Sequence, residues 1–350
     1  MNILIVRLGA LGDIVHTVPA AAALRAALPD ARIDWLVDAK HRAMVDLVTV
    51  VDRAVVLDRP TIGGWADAAR TMRQVGYDAA IDFQGLLKSA VLARASGAAR
   101  VVGFSIWHLR EKSARPFYSA TERTGTNAGD SAETGRRGDN DKGQQGRTRH
   151  VIRKNLQLLG ALGIHDDRIE FPLADVASAA LESVRATADG RPFALINPGA
   201  AWPNKRWPPE RYGELAAFLR DVRQLPSFVL WGPGEDALAQ AVVDASGGAA
   251  RLSPPTHLPD ILALSRAAAL MVSGDTGPLH IAAAAGTPTV SVYGPSDPDR
   301  NGPWAAADEI VSRYSACRCH YQRRCHESAW CLGEITLAEV TARVQRRLQS

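Results

Sequence analysis

The fold of this chain is decided by the stretch NILIVRLGALGDIVHTVP, residues 2–19. Its apolar start, Asn2–Val6, predicts a buried strand, which runs directly into a turn with glycines at 9 and 12. The helix after the turn opens on Asp13. Glycine turns that open helices usually hold phosphate, because bare backbone N–H groups and the helix dipole attract anions. A carboxylate at this position is therefore unexpected and is the first functional signal.

A dinucleotide-binding site fits Asp13 poorly. The turn supplies only G-x-x-G instead of G-x-G-x-x-G, although Asp38 closes the second predicted strand, where a ribose-binding acid would lie. The charge of Asp13 would also face the pyrophosphate, and two anions in one low-dielectric turn repel strongly. Two interpretations remain open. Asp13 is a helix N-cap, which aspartate fills well, or it is a base or hydrogen-bond acceptor for a polyhydroxyl ligand.

Short apolar runs alternate with helical patterns in both halves of the chain. The first half predicts strands at 2–6, 33–37, 54–57, 79–83 and 100–104, with helices such as 14–28 and 86–95. The second half predicts strands at 193–197, 228–231, 270–273 and 289–293, and helices at 210–222, 235–245, 258–267, 278–285 and 337–348. This alternation predicts an α/β protein with a parallel sheet in each half. Ligand loops are then expected at the carboxyl ends of the strands.

Length and composition narrow the class of protein. A chain of 350 residues suits two domains, since single cores rarely grow beyond roughly 250–300 residues. The net charge of +4 is too weak to argue for nucleic acid, but it suits an anionic ligand or membrane surface. No apolar run approaches the roughly 20 residues of a spanning helix. The N-terminal stretch lacks the basic segment of a signal peptide, so we expect a cytoplasmic protein.

The polar segment 121–149 separates the two halves. It is rich in glycine and mixed charges and poor in large apolar residues. Such a composition cannot bury enough surface to offset its ordering entropy, so we expect a disordered insertion, either without a role or acting as a mobile lid. The expected domains are 1–175, with this insertion, and 176–335, followed by a C-terminal helix at 336–350.

Three loops that follow predicted strands in the second half offer polar groups. SGDTGPLH opens a helix after an apolar strand, so that Thr276 and Gly277 form a phosphate cradle. NPGAAWPNKRWP presents Lys205 and Arg206 between a strand end and a helix start, although basic loop residues are often only solvated. WGPGED places Glu235 where a carboxylate could bind ribose hydroxyls.

Four stretches together resemble glycosyltransferase family 9, the ADP-heptose:lipopolysaccharide heptosyltransferases. They are VRLGALGDIVHTVPAAAALR, DFQGLLKSA, NPGAAWPNKRWP and SGDTGPLHIAAAAGTPTVSVYGPSDP, and they occur in the family's order over nearly the whole chain outside 121–149. The resemblance implies a GT-B fold, in which two Rossmann-like parallel-sheet domains face each other across a cleft. The N-terminal domain would bind the acceptor and the C-terminal domain the nucleotide sugar.

The resemblance also implies roles for individual residues. Asp13 would be the catalytic base, with Gly12 beside it in the acceptor site. Arg110 and Lys112, in the basic segment GFSIWHLREKSARPFYS, would face acceptor carboxylates or phosphates, although a solvated basic loop is an equal alternative. The donor-binding residues would be Lys205, Glu235, Asp275, Thr276, Gly277, Pro278, Leu279 and His280. On the sequence alone, His280 could instead be a helix residue that is hydrogen-bonded inside the core.

The implied reaction is an inverting transfer of L-glycero-D-manno-heptose from ADP-heptose to a Kdo sugar of Kdo-lipid A, in the inner core of lipopolysaccharide. It needs no cofactor, no catalytic metal and no nucleic acid. We expect a monomer in peripheral contact with the cytoplasmic face of the inner membrane.

Heptosyltransferase I is the expected type. Heptosyltransferase II stays open, because only Arg59 stands where a type I basic cluster often follows the third strand, and NPGAAWPNKRWP is closer to type II. Another GT-B nucleotide-sugar transferase or epimerase and a two-domain sugar-binding protein are the further alternatives.

The cysteines form a separate cluster: Cys317, Cys319, Cys325 and Cys331, with His320 and His326 between them. Reduced structural thiols are the first expectation. A structural zinc site is the second, since C-x-C suits a tetrahedral site less well than C-x₂-C. Redox control is the third.

Overall fold

The computed structural model describes residues 1–59, 61–122, 150–328 and 330–349. The chain divides into two compact units, Met1–Ala174 and Asp175–Ser350. Each unit contains one six-stranded sheet in which all strand pairs are parallel.

The first unit carries its sheet in the order β3-β2-β1-β4-β5-β6. Its strands are β1 (Asn2–Val6), β2 (Arg32–Asp38), β3 (Arg53–Leu57), β4 (Ala79–Asp82), β5 (Arg100–Phe104) and β6 (Ala120–Glu122). Its helices are α1 (Leu11–Val15), α2 (Val18–Ala27), α3 (Arg42–Val45), α4 (Ile62–Arg73), α5 (Leu87–Ala95) and α6 (Val151–Leu158). Side chains on both faces of β1 and β4 are buried, which explains why these strands are nearly continuous apolar runs.

The second unit repeats this topology. Its strands are β7 (Ala194–Asn197), β8 (Ser227–Val229), β9 (Ala250–Leu252), β10 (Leu270–Gly274), β11 (Thr289–Tyr293) and β12 (Glu309–Ser312). Its helices are α7 (Ala179–Thr187), α8 (Pro209–Arg223), α9 (Asp236–Ala245), α10 (Leu258–Ala267), α11 (Gly277–Ala284), α12 (Pro298–Asn301) and α13 (Leu337–Arg347). The order β12-β11-β10-β7-β8-β9 is the order of the first sheet when strands are counted within each unit.

In both sheets the strand order therefore reverses beside the first strand of the unit. The loops after β1 and β4 lie at this point in the first unit, and those after β7 and β10 in the second. Ligands of open α/β sheets bind at the carboxyl ends of the strands on either side of such a point. These four loops contain most of the residues that the motifs singled out.

The predicted α/β fold with two parallel sheets is confirmed, but the predicted helix 14–28 is wrong in detail. Two helices, α1 and α2, occupy this stretch, and Pro19 lies in the first turn of the second. Proline in a helix interior lacks the N–H donor and clashes with the preceding turn, so a helix begins near it instead of passing through it.

The start of the predicted insertion is also wrong. Thr121 and Glu122 belong to β6, which pairs with β5 through Gly103↔Thr121 and Phe104↔Glu122. The remaining residues of the predicted insertion, 123–149, lie outside the described part of the chain. Two short strands at the edges of the second sheet, β9 and β12, were not predicted from the sequence. Within the described residues, no helix is both long and apolar enough to cross a membrane.

Candidate functional sites in the two units

Asp13 lies in the first turn of α1 but does not cap it. The helix begins at Leu11, its N-cap is Ala10, and no side chain accepts a hydrogen bond at the cap. The N-cap interpretation of Asp13 is therefore wrong, because Asp13 is the third residue of the helix. The side chain is 20% exposed, so it is partly accessible from solvent.

A buried arginine holds the Asp13 carboxylate. Arg7 Nη2 lies 2.6 Å from Asp13 Oδ2, and the Arg7 side chain is only 3% exposed. The other terminal nitrogen of Arg7 donates to the Phe83 carbonyl oxygen. Burial lowers the pKa of Arg7, the charge of Asp13 raises it, and the charge of Arg110 lowers it again. Because arginine ionises so far above neutrality, Arg7 stays a cation and favours the charged form of Asp13.

The turn after β4 supports this pair and is organised by Asp82. The buried Asp82 carboxylate accepts hydrogen bonds from the backbone N–H groups of Gln84 (2.8 Å) and Gly85 (3.2 Å). It also accepts from Ser89 Oγ (2.8 Å) and Tyr118 OH (2.7 Å). Burial raises the pKa of Asp82, although these four neutral donors act in the opposite direction.

The Asp82 turn reaches back to the loop after β1. Gln84 Oε1 accepts from the Leu8 N–H at 2.9 Å, and the Phe83 carbonyl holds Arg7. The DFQG motif thus positions the residues around Asp13. Arg7 and Asp82 were not among the predicted site residues, although both lie within motifs that carried the family resemblance.

The predicted acceptor residues also belong to the first unit. Gly12 is the second residue of α1. Arg110 and Lys112 are exposed in the segment between β5 and β6. A Cβ on Gly85 would lie 3.7 Å from the Arg110 backbone nitrogen, so this segment packs beside the turn whose Phe83 carbonyl holds Arg7. The charge of Arg110 lowers the pKa of Arg7. We call Arg7, Gly12, Asp13 and Arg110 the Asp13 site.

In the second unit, Asp275 is the centre of a polar cluster in which each carboxylate oxygen accepts two hydrogen bonds. Its Oδ2 accepts from Lys205 Nζ at 2.5 Å and from Ser296 Oγ at 2.6 Å. Its Oδ1 accepts from Asn301 Nδ2 at 2.7 Å and from His280 Nε2 at 3.3 Å. Since an ionised carboxylate only accepts, this His280 nitrogen carries the proton. We call these five residues the Asp275 cluster.

The Asp275 cluster holds a buried negative charge. The Asp275 and His280 side chains are 6% and 5% exposed, and that of Lys205 is 17% exposed. Burial alone would raise the pKa of Asp275. The hydrogen bond from His280 and the charge of Lys205 outweigh burial, and they hold this pKa well below its ordinary value. His280 is thus both buried and part of the cluster, so its two sequence interpretations are not exclusive.

Lys205 is placed by close backbone packing. A Cβ on Gly274 would lie 2.8 Å from the Lys205 carbonyl oxygen, so only glycine lets the end of β10 approach this loop. The Lys205 ammonium also lies 4.6 Å from the centroid of the Trp202 ring. Ser296 and Asn301, the other two donors to Asp275, were not predicted. Ser296 lies in the last of the four motifs, but neither residue type signals a site by itself.

The N-terminus of α11 follows Asp275 directly. Thr276 is its N-cap, and no side chain caps the helix. The Thr276 hydroxyl instead contacts Asn197 Nδ2 at 3.0 Å and Ser273 Oγ at 3.1 Å. The first turn contains Gly277, Pro278 and Leu279, of which proline has no N–H group. The N–H groups of such a turn attract anions.

Glu235 lies beside the loop after β7. Its Oε2 accepts from the Gly232 N–H at 3.1 Å, and a Cβ on Gly199 would come within 2.3 Å of the same oxygen. Arg206 Nε donates to the Ala200 carbonyl at 2.9 Å, within the loop after β7.

The four cysteines have free thiols. Cys319 Sγ and Cys325 Sγ lie 3.5 Å apart, and the thiols of Cys317 and Cys331 are hydrogen-bonded. Over the described ranges, no group of three or more His, Cys, Asp or Glu side chains is arranged to hold a metal ion. Asn204, next to Lys205, donates to the Gln322 carbonyl at 2.9 Å, so the cysteine segment packs against the loop that carries Lys205.

Comparison with known sequences matches this chain to one protein family. The family model described as glycosyltransferase family 9 (heptosyltransferase) matches residues 65–124 and 112–331. The lipopolysaccharide heptosyltransferase 1 of Pseudomonas aeruginosa is 27% identical over 93% of this chain and 87% of its own length. The lipopolysaccharide heptosyltransferase 2 of Escherichia coli is 34% identical, but over only 35% of this chain and 36% of its own length.

Solved structures show the same fold. The E. coli heptosyltransferase WaaC with ADP has a TM-score of 0.72 and 22% identity, and the match covers 100% of both chains. The resemblance drawn from the four sequence motifs and the α/β fold that it implied are confirmed.

Proposed function

Because the chain belongs to glycosyltransferase family 9, we propose that it is a heptosyltransferase of type I, which transfers heptose from ADP-heptose to the Kdo-containing inner core of lipopolysaccharide. The assignment to type I is supported by the extent of the matches. Relatives named heptosyltransferase 1 match most of the chain, whereas a relative named heptosyltransferase 2 matches about a third of it. The enzyme is a glycosyltransferase.

The observation that carries the mechanism is the partly exposed Asp13 carboxylate, which is held at 2.6 Å by a buried arginine. We propose that it removes the proton from the acceptor hydroxyl while the hydroxyl oxygen attacks the anomeric carbon of the heptose. The C–O bond to the ADP leaving group breaks on the opposite face, which inverts the anomeric centre. General-base catalysis of this kind contributes typically ~10²–10⁴-fold.

Arg7 sets the ionisation, orientation and basicity of the Asp13 carboxylate. A buried guanidinium keeps the carboxylate ionised and aimed, so that it is ready before the acceptor arrives. The same cation makes the carboxylate a weaker base. Proton transfer therefore comes late, after the bond to ADP has largely broken and the attacking hydroxyl has become acidic.

We place the donor in the second unit, at Lys205 and the N-terminus of α11. Lys205 and the N–H groups of Gly277 and Leu279 would stabilise the charge that grows on the diphosphate. Glu235 would bind ribose hydroxyls. All four acceptor positions of Asp275 are already used by donors in the Asp275 cluster. We therefore propose that Asp275 and His280 hold Lys205 in place, with Thr276 and Pro278 shaping the helix start.

The acceptor would bind in the first unit, beside Gly12 and Asp13. Arg110 and Lys112 suit a ligand with carboxylates and phosphates, and the packing of the Arg110 backbone beside the turn that holds Arg7 supports this position. We propose that the protein works as a monomer in the cytoplasm, in peripheral contact with the inner membrane that carries the acceptor.

The test of this proposal is Asp13→Asn, which keeps the side-chain shape and removes the base. Turnover with ADP-heptose and Kdo-lipid A should fall by about 10²–10⁴-fold, while ADP affinity, measured by isothermal titration calorimetry, should stay unchanged. Asp46→Asn, at an exposed carboxylate paired with Arg42, is the matched control and should keep full activity.

Two results would contradict the proposal. Turnover of Asp13→Asn within tenfold of wild type would exclude Asp13 as the base. A protein that binds no nucleotide at all would favour the two-domain sugar-binding alternative. Comparing Kdo-lipid A with an acceptor that already carries one heptose distinguishes type I from type II.

A further inference from the structure

Two adjacent apolar side chains project from the turn after β5. Trp107 is 77% exposed and Ile106 is 41% exposed. Single exposed apolar residues are common on protein surfaces, but contiguous ones mark surfaces that bind a partner or a membrane. Among the described residues, the other large apolar side chains with comparable exposure are Met1, Ile62, Leu87, Val222, Leu252 and Tyr321, and none of these is a sequence neighbour of another.

Hydrogen bonds fix the conformation of this turn, so Ile106 and Trp107 are exposed on a defined backbone. Ser105 N–H donates to the Glu122 carbonyl at 3.0 Å, and the N–H groups of His108 and Leu109 donate back to the Ser105 carbonyl. Ser105 Oγ and His108 Nδ1 are 3.0 Å apart. The Leu109 side chain packs against the core of the first unit. Ile106 and Trp107 are the residues that this framework leaves outside.

Leu87, at the start of α5, is a further exposed apolar residue. Its backbone N–H donates to Glu111 Oε2 at 2.7 Å, which holds the start of α5 against the segment that follows the turn. Glu111 N–H in turn donates to the Gly85 carbonyl at 3.1 Å. Leu87 is 39% exposed, so a third apolar side chain faces solvent near the turn.

Positive charge follows the apolar tip directly. Arg110 and Lys112 are exposed, and Arg115 lies one turn further along the same segment. The carboxylate in this segment, Glu111, is engaged by the Leu87 N–H. Tryptophan beside an aliphatic residue, followed by exposed cations, is the pattern of segments that enter the interface of an anionic bilayer. Each cation near such a surface adds about fivefold to binding.

We propose that Ile106 and Trp107 insert into the interfacial region of an anionic lipid bilayer, with Arg110 and Lys112 against the lipid phosphates. The inference rests on the proposed function in one respect, since a lipid acceptor makes docking useful. The backbone at Arg110 packs beside Gly85, in the turn whose Phe83 carbonyl holds Arg7, so a bilayer bound at this tip lies on the side of the Asp13 site. The head group of a lipid acceptor then reaches the base without leaving the membrane.

The experiment measures sedimentation of the full chain with vesicles. Wild type should bind vesicles of phosphatidylcholine mixed with phosphatidylglycerol, and bind vesicles of phosphatidylcholine alone more weakly. The double variant Ile106→Ser/Trp107→Ser should lower the partition coefficient on the anionic vesicles by about ten- to a hundredfold. The control is Ile62→Ser, which removes an apolar side chain that is 90% exposed at the start of α4 and should bind as wild type does.

Equal vesicle binding by wild type and the double variant overturns the proposal, and so does an equal loss in the Ile62 control. A third measurement separates lipid from sugar contact. With a deacylated, water-soluble acceptor, the KM of the double variant should match that of wild type. A large rise in that KM means that Trp107 binds the acceptor's sugars, which also overturns bilayer insertion.

The same design separates this inference from the proposed function. If no heptosyl transfer is found with any acceptor, but vesicle binding still depends on Ile106 and Trp107, the proposed function fails and the bilayer surface stands. If transfer proceeds and vesicle binding does not depend on these residues, the proposed function stands and bilayer insertion is wrong.

Discussion

Replacing Asp275 with asparagine tests whether a carboxylate organises the Asp275 cluster. The substitution keeps the shape of the side chain but removes its charge, and the new amide group donates instead of accepting. One or two of the donors Lys205, His280, Ser296 and Asn301 then lose their acceptor. Lys205, whose side chain is 17% exposed, is left as a mostly buried cation without its counter-charge.

The size of the effect follows from this burial. Removing one partner of a buried ion pair costs about 3–5 kcal/mol, because the remaining charge is left uncompensated. Lys205 keeps some contact with water, so we expect a value near the lower end, about 3 kcal/mol. For a unit of this size each kcal/mol lowers Tm by about 2–4 °C. The second unit of Asp275→Asn should therefore melt about 6–12 °C below wild type.

Differential scanning calorimetry at neutral pH measures this shift. The matched control is Asp221→Asn, which removes a carboxylate paired with Arg220 on the exposed face of α8. Exposed pairs contribute little to stability, so the control should melt as wild type does. A Tm of Asp275→Asn within about 2 °C of wild type would refute the reasoning, because it would mean that the cluster does not depend on its carboxylate.

The pH dependence provides a second check on the same variant. The pKa of Asp275 in the folded protein lies below its ordinary value of 3.8. The ionised carboxylate therefore contributes its full stability above pH 3.8, and this contribution is lost as the pH falls towards the folded-state pKa. The Tm difference between wild type and Asp275→Asn should shrink as the pH is lowered from neutral to below 3.8. A difference that stays constant over that range would contradict the assignment.

Two further predictions concern the same unit. Lys205→Met should weaken ADP binding about ten- to a hundredfold, as expected for a charge-assisted hydrogen bond worth roughly 1.5–3 kcal/mol, whereas Thr276→Val, which removes a neutral hydroxyl, should weaken it less; equal losses in calorimetric titrations would count against this placement of the diphosphate. Gly274→Ala places a methyl group 2.8 Å from the Lys205 carbonyl oxygen, so it should lower the free energy of unfolding by about 1–3 kcal/mol and weaken ADP binding together with it, and an unchanged urea midpoint would show that the Lys205 loop moves freely.

The fold was largely predictable because its strands are central and parallel. Such strands are buried on both faces, so runs such as those of β1 and β11 are apolar throughout and are visible in sequence. The unpredicted strands are β6, β9 and β12, which lie at sheet edges and are three or four residues long. Their partly exposed side chains produce no apolar run. For β6 the composition of the following residues pointed to disorder instead.

Site residues that lie in a recognisable sequence motif were predictable. Contacts between residues that are distant along the chain were not. Asp13, Lys205 and Asp275 stand in recognisable loops, but the ion pair between Arg7 and Asp13 depends on a turn that begins at Phe83. Ser296 reaches Asp275 from a loop 21 residues away along the chain. Serine and asparagine are frequent loop residues, so their types alone did not distinguish them.

The fourth strand of each sheet illustrates why a motif aspartate cannot be assigned a role without its donors. Asp82 ends β4, and Asp275 follows β10 directly, so each carboxylate lies at the carboxyl end of the fourth strand of its unit. Asp82 accepts from neutral donors alone, and burial raises its pKa. Asp275 faces a lysine and a histidine, and its pKa falls.

Because the charges around the two carboxylates differ, Asp82 and Asp275 have different structural roles. Asp82 forms its hydrogen bonds with neutral donors and shapes its turn, while the nearby Arg7 pairs with Asp13 instead. In the second unit the carboxylate itself holds the cation, Lys205, at the edge where we propose that a diphosphate binds. A diphosphate must then compete with Asp275 for Lys205. The second unit therefore keeps a charge-balanced cluster before the donor arrives and needs no bound ion to offset Lys205.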